Sequence, residues 1–368
     1  MEIRNNLAGI RQRRGQSAAD LARKVGVSRQ TIYAMEHGSY VPNTAVALKL
    51  ARALAVSVED LFAIEESAGA PRTETVELLP DDPPPQPGQP VQLCPVDKRM
   101  VGASPMPVAW NFPPADAVLA EPERGHTRVR LFQDDEPLDN RLLVAGCDPG
   151  ISVLARHLRR AGVELVVTHR NSSQALRLLK QGWVHVAGSH LRDEVSGESN
   201  LPAIRKLFAR RSVAVISFAL WEEGIVVAKG NPKRVRGIAD LARKGLTIVN
   251  REPGAGSRLL LDSSLKHLGI EPEGIEGYHR IAQGHLPAAW EIRAGNADCC
   301  IATAAAARLF GLDFVPLVSE RYDLVVRNQH LKLPAMQLLI ETLDRTAFRR
   351  ELEGLGGYDT SQAGRRVA

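Results

Sequence analysis

The chain of 368 residues is poor in cysteine, in aromatic residues and in long apolar runs, and each shortage excludes something. Cysteine occurs only as Cys94, Cys147, Cys299 and Cys300, with no CxxC pair and two of the four adjacent. That spacing lacks the paired pattern of a zinc finger. The four read as free thiols in a reducing compartment, with a zinc site or a redox switch as the alternative, and no metal ligand is assigned. No apolar run approaches the roughly 20 residues that cross a bilayer, and the chain starts polar and charged, without a leader pattern. The expectation is a cytoplasmic protein with no membrane partner. Catalytic signatures are missing too. PGAGSR lacks the spacing and the lysine of a P-loop, no GxGxxG follows the first strand of the α/β part, and no HxH or HExxH occurs. Asp148 and His190 stand without an evident nucleophile, and Asp148 with Pro149 and Gly150 reads as a turn that caps the next helix. No catalytic residue and no cofactor are assigned.

What remains is ordinary globular material, 44% hydrophobic and 24% charged. A net charge of +5 is too modest to imply nucleic acid by itself. The length allows two or three domains with real cores, and the pattern divides into four parts. Residues 1–65 carry short helical periods. Residues 66–90 hold Pro80, Pro83, Pro84, Pro85, Pro87 and Pro90, which remove donors and forbid a packed helix, so this stretch reads as a semi-rigid linker. Residues 91–141 contain the β-like runs VQLC, RMVGAS and TRVRLF and read as a small β-containing connecting segment. From 142 to 357, strand patterns such as LLVAG, VELVVTH and LTIVN alternate with helical ones such as ISVLARHLRRAG and SRLLLDSSLKHLG. That alternation predicts α/β units with largely parallel sheets, long enough for two lobes.

The first 62 residues read as a DNA-binding head. Leu7 and Ile10 begin an apolar face, followed by Arg11, Arg13 and Arg14. Ser17 can cap a second helix that buries Leu21, Ala22 and Val25, and Gly26 supplies the permissive backbone of a tight turn. Ser28 can cap a third helix that buries Ile32 and Met35 and leaves Ser28, Arg29, Gln30 and Tyr33 outward. Arg and Gln there are the side chains that pair bidentately with guanine and adenine edges, while Gln16 and Arg11 can address phosphate. The order of cap, small residue, glycine turn, cap and polar face resembles the Cro/phage-repressor (XRE) helix-turn-helix family across about residues 5–62. The resemblance implies five helices, the last two over TAVALKLARAL and VEDLF. It implies phosphate contact at Gln16, major-groove reading by Ser28, Arg29, Gln30 and Thr31, and Tyr33 near the backbone. It also implies a structural ion pair between Arg11 and Glu36, and a dimer on DNA.

Two stretches of the α/β part suit a polar or anionic ligand. THRNSS places Asn171, Ser172 and Ser173 at a helix N-terminus, and NREPGAGSR does the same for Gly254, Gly256 and Ser257, with Arg251 or Arg258 for charge. Trp221 and Trp290 are alternatives that would stack on an organic ligand. VAGCDPG, VHVAGSHL, GIVVAKGNP, GIADLARKGLTIVNREPGAGSRLLLD, AGNADCCIATAAAA and GLDFVPLVSERYDLVV together resemble the cytoplasmic relatives of periplasmic molybdate-binding proteins. The resemblance implies two α/β lobes joined by crossing strands near 218–228 and 315–323. It puts the ligand between the lobes, held by Ser172, Ser173, Gly256 and Ser257 with Asn171, Arg251, Arg258 and Tyr322. Where that family has Ser-His, this chain has Cys147, a poorer donor.

The expectation is a multidomain chain: an all-α helix-turn-helix head, a Pro-rich linker and a two-lobed periplasmic-binding-protein-like domain. It would be a homodimeric or higher-order transcriptional regulator of an operator in double-stranded DNA. Its effector would be a molybdate- or tungstate-like oxyanion or a small polar metabolite. Two rivals stand beside it: an enzyme acting on a molybdenum-cofactor precursor with a DNA-binding head, and a constitutive repressor whose α/β part is an oligomerisation scaffold.

Overall fold

A computed structural model describes residues 2–65, 72–80, 86–105, 113–123, 126–132, 138–193, 196–209 and 212–368. The chain divides at Arg72 into two compact units.

The N-terminal unit follows from its caps. Helices α1 (Leu7–Arg13), α2 (Ala18–Val25), α3 (Arg29–Glu36), α4 (Thr44–Leu54) and α5 (Val58–Leu61) pack Leu7, Leu21, Ile32, Met35, Leu50 and Leu54 into one core. The side chains of Ser17, Ser28, Asn43 and Ser57 each accept a backbone N–H in the first turn of the helix they open. Gly26 ends α2 at φ +79°, which turns the chain into Val27 and the Ser28 cap without a steric cost. Strands β1 (Glu2–Asn5) and β2 (Phe62–Glu65), which the helical reading did not foresee, pair antiparallel and tie the two ends of the unit together.

The second unit begins inside the stretch read as a linker. Residues 66–71 and 81–85 of that stretch lie outside the described residues, but Thr73–Leu78 is strand β3. Its alternating threonine, valine and leucine outweigh the prolines that follow. With β4 (Pro90–Val96), β5 (Arg99–Ala103), β6 (Ala117–Glu123) and β7 (His126–Leu131) it closes a barrel in the order β3-β5-β4-β6-β7. The connecting segment is thus a five-stranded domain with its own core of Val76, Val91, Leu93, Ala117, Leu119 and Val129.

The remainder is one mixed sheet of nine strands flanked by helices. Strand β8 (Arg141–Gly146), α6 (Ile151–Arg160), β9 (Glu164–His169), α7 (Ser172–Gln181), β10 (Val186–Ser189) and α8 (Leu201–Leu207) build lobe one, whose three strands run parallel. Strand β11 (Val213–Val227) then crosses into lobe two, which holds β12 (Ile248–Arg251), α9 (Gly256–Leu268), β13 (Ile281–Ala282), α10 (His285–Arg293), β14 (Cys299–Thr303) and α11 (Ala304–Leu309). Strand β15 (Asp313–Arg327) crosses back, followed by α12 (Pro334–Asp344), α13 (Thr346–Gly354) and β16 (Tyr358–Asp359). VAVISFAL and GIVVAKG, which read as separate runs, fall on the single strand β11. It pairs antiparallel with β15 along nearly its whole length, with register breaks at Ser217/Ala219 and Glu223/Gly224. These two strands are the crossing pair, and the lobes face each other across their middles. The domain also runs past residue 357, because β16 pairs with β11 and the backbones of Val367 and Ala368 bond to Val215.

Candidate ligand cleft and DNA-reading face

In the N-terminal unit, Ser28, Arg29, Gln30 and Tyr33 are exposed on α3, and Thr31 is half-buried beside them. Ser28 accepts the Thr31 N–H at 3.0 Å, so both residues serve the cap as well as the reading face. Arg29 donates to the Tyr33 hydroxyl at 3.0 Å and lies over its ring. The first turn of α3 carries no acidic residue, which leaves its positive end open to phosphate. Gln16 is half-buried just before the α2 cap, its amide reaching the Ala53 carbonyl at 3.5 Å. Arg11 is a different case. Its guanidinium grips Glu36 at 2.5 and 3.1 Å and donates to the Gln16 carbonyl at 2.9 Å, so its donors hold α1 to α3 rather than reaching for phosphate.

In the second unit the two predicted helix N-termini meet. The Asn171 amide donates to the Pro253 carbonyl at 3.2 Å while its oxygen caps α7, so this side chain joins the lobes. A Cβ at Gly254, where φ is +89°, would lie 3.3 Å from Asn171 and Ser173, and one at Gly256 would fall on the His190 ring. Gly284 is as close to His169. The lobes are closed on one another over a polar interior.

Ser172 accepts the His190 backbone N–H at 3.1 Å, and Ser257 donates to Glu223. Tyr322, fully buried, accepts the Cys147 N–H at 3.3 Å and packs where Gly146 and Gly188 leave room for its ring. Arg251 is buried and paired with Glu252 at 2.9 and 3.0 Å, with Nη1 left over. Arg258 does not join them. It pairs with Asp262 at 3.0 Å and lies over the Tyr278 ring, because one residue beyond Ser257 on α9 rotates it by about 100° away from the interior. Trp221 lines the interior, whereas Trp290 is 48% exposed against Phe310, so the two indoles do not form one clamp.

Several interior residues escaped the sequence reading as ligand contacts. His190 Nδ1 lies 2.8 Å from Glu320 and 3.7 Å from Glu223, and His285 Nδ1 lies 4.0 Å from Glu223. Cys147 stands next to both histidines, and the ligand atoms of the three lie within 4.8 Å of one another. Trp221 meets the rings of His190 and His285 edge-on at 4.8 and 5.2 Å. Burial, with the Glu320 carboxylate beside it, pushes Glu223 up to about 8, and burial pushes Glu320 up to about 7. Burial, with Arg251 and His190 nearby, holds His285 well below the usual histidine range and so neutral. Burial alone would lower His190 as well, but Cys147 and Glu223 outweigh it and its pKa is raised. Among the described residues, His169 Nε2, His190 Nε2, Glu223 Oε2, Arg251 Nη1 and both ring nitrogens of His285 are buried without a hydrogen-bond partner. The signal in sequence was faint: WEEG and SERYD put carboxylates into otherwise apolar strands.

Comparison with known proteins bears on both units. Residues 155–344 match the model of the PBP superfamily domain, and residues 7–61 match that of the helix-turn-helix. The chain is 32% identical over 250 residues to the uncharacterized protein YvgK of Bacillus subtilis, a stretch covering 67% of this chain and 80% of that one. The chain belongs to the PBP superfamily. This PBP-superfamily chain is also 44% identical over 48 residues to the uncharacterized HTH-type transcriptional regulator YgzD of B. subtilis, covering 13% of this chain and 73% of the relative. Among solved structures, a phosphate-bound, putative phosphate ABC transporter substrate-binding protein from Clostridium perfringens aligns over 60% of this chain and 98% of its own. The identity is 13% and the TM-score 0.44. The chain therefore couples an XRE-type, DNA-binding head to a ligand-binding domain of the two-lobed PBP type. Among the described residues no helix is long and apolar enough to cross a membrane.

Proposed function

We propose that this chain is a cytoplasmic, ligand-responsive transcriptional regulator in which closure of the two lobes on a small polar ligand changes operator binding by a pair of heads. The observation that carries the ligand half is the set of unpartnered polar atoms at the lobe interface, on His169, His190, Glu223, Arg251 and His285. Each such atom costs about 1–3 kcal/mol when left dry, so a fold that gathers them between two hinged lobes is built for an occupant. The domain is then a receptor rather than a scaffold, and nothing in it requires turnover. Ser28, Arg29, Gln30 and Thr31 would read bases, with Gln16 and Tyr33 at the phosphates and Arg11 keeping its structural place. A homodimer sets two α3 helices at the spacing of two half-sites.

A molybdate-like oxyanion is the second reading. It has one specific support: Arg251 Nη1 is buried and unpartnered near the facing N-termini of α7 and α9. Asn171, Ser172, Ser173, Gly254, Gly256 and Ser257 surround that approach.

The test is operator affinity of the full chain at fixed salt, with and without molybdate, tungstate, sulfate, phosphate and a panel of metabolites and metal ions. A change of tenfold or more with one compound, absent from scrambled DNA, is the expected result. Identical affinity across the whole panel would favour the constitutive scaffold, and conversion of a bound compound would favour the enzyme.

A further inference from the structure

The same interior carries a more specific reading of the ligand, and it rests on the proposed sensing role. We propose that Cys147, His190 and His285 form a three-residue site, with its fourth position open, for one thiophilic transition-metal ion of the zinc class, which locks the two lobes together.

The donor types come first. A thiolate and two neutral imidazoles suit a borderline-soft divalent ion and are a poor cradle for an oxyanion. The three come from both sides of the closing fold. Cys147 follows β8 and His190 follows β10 in lobe one, and His285 opens α10 in lobe two. An ion among them bridges both lobes at their hinge.

The second observation is how His190 is presented. Its Nδ1 is bonded to Glu320 at 2.8 Å, while Nε2 is buried with no partner. A carboxylate on one ring nitrogen fixes the tautomer so that the other nitrogen offers its lone pair, which is the usual outer support of a metal-bound histidine. His285 has neither nitrogen satisfied, although it is fully buried. An apolar residue would cost less there unless something binds it. Trp221 packs edge-on against both imidazoles and restricts their rotation.

Distances fit with small adjustment. Tetrahedral coordination at zinc bond lengths separates neighbouring donor atoms by roughly 3.3–3.6 Å. The Cys147, His190 and His285 donors lie within 4.8 Å of one another, while Glu223 belongs to the neighbouring group with His190 and Glu320. Side-chain rotations close the remaining gap. A thiolate offsets part of the ion's charge, and the ion removes the cost of burying that anion alone.

The experiment uses the full, metal-free chain titrated with zinc chloride and, separately, cobalt(II) chloride. One equivalent is expected to bind. The cobalt form should show the intense visible bands of a tetrahedral centre and a near-ultraviolet thiolate-to-cobalt band. Cys147→Ser should abolish the thiolate band and weaken zinc at least tenfold while unfolding as cooperatively as the parent, and His285→Gln should weaken zinc comparably. Cobalt binding without a thiolate band, or zinc affinity indifferent to both substitutions, overturns the site. An operator response to molybdate but no binding of zinc or cobalt also overturns it, and leaves the sensing role standing. Zinc bound through Cys147 with operator affinity unchanged upholds the site and removes the sensing role.

Discussion

The head and the lobe interface treat polar side chains near a core in opposite ways. In the head most are closed into pairs, Arg11 with Glu36, Ser17 with Asp20, Ser28 with Thr31 and Ser57 with Asp60, and Gln16 Oε1 is the one buried side-chain atom among its described residues without a partner. At the interface His190, Glu223, Arg251 and His285 are more deeply buried yet keep unpartnered atoms. A satisfied network stabilises one arrangement by itself, whereas an unsatisfied one depends on what enters it. The head is thus a finished reading surface and the interface an unfinished one. The difference teaches where a small molecule has unpartnered groups to bind and where the polar groups are already largely spoken for.

The two can be broken separately because all four tryptophans, Trp110, Trp183, Trp221 and Trp290, fall after residue 72. Tryptophan fluorescence follows the larger unit, and helical circular dichroism senses both. The largest effect is expected from Gly188→Ala. A Cβ there overlaps the Tyr322 phenol, which is walled in by Gly146, Phe218 and Trp221. Overpacking of a rigid aromatic costs about 3 kcal/mol, the upper part of the usual range. The fluorescence transition should fall by several degrees while the head is unmoved. An unchanged fluorescence midpoint would mean that Tyr322 is not held as described.

A smaller effect is expected from Ser28→Ala. Loss of the α3 cap costs about 1 kcal/mol of head stability and frees the first turn of the reading helix. Far-ultraviolet melting should show an earlier helical transition with the tryptophan signal unaffected. If both signals shifted together, the two units would unfold as one and the contrast drawn above would fail.

What the sequence made legible follows the same divide. The head could be read almost residue by residue because its logic is local, with caps three residues from the amides they serve and a glycine at the turn. The α/β alternation was legible for the same reason, since each strand and helix carries its own period. Three features were not. TETVEL sits just before a proline cluster, and nothing local shows that β3 closes a barrel with β5 and β7. VAVISFAL and GIVVAKG flank WEEG, where the charges hide the continuity of one long strand. The cluster itself is assembled from afar: His190 and Glu320 are 130 residues apart, and Ser257 and Glu223 are 34. Ser172 and Ser257, read as ligand contacts, bond the His190 backbone and Glu223, partners that no local pattern announces. Arg258 stands one residue beyond Ser257 and so faces Asp262 instead, a distinction that needs the register of α9.

The smallest effect is one of sign, and it separates the units by pH. Asp20 is held below the usual carboxylate range by the Ser17 hydroxyl and Arg23, and Asp60 by the backbone and hydroxyl of Ser57. A carboxylate with a depressed folded pKa stabilises the fold above its ordinary value, and that contribution is lost as pH falls through the folded one. In the larger unit, burial raises Asp323 despite bonds to Arg321 and Asn200. There the folded state holds its proton more tightly than the unfolded chain, so stability falls as pH rises from the ordinary carboxylate value through the folded one. Acidification from neutrality into the ordinary carboxylate range should therefore relieve the larger unit at Asp323 while leaving the head unaffected by its caps. Further acidification should begin to cost the head. Paired melts by fluorescence and circular dichroism check this, with Asp323→Asn expected to reduce the gain on the fluorescence side and the remainder left to Glu223 and Glu320, which burial also raises. If Asp20→Asn and Asp60→Asn left the acid limb of the head unchanged, its caps would be held by their hydroxyls alone and the charge would contribute nothing.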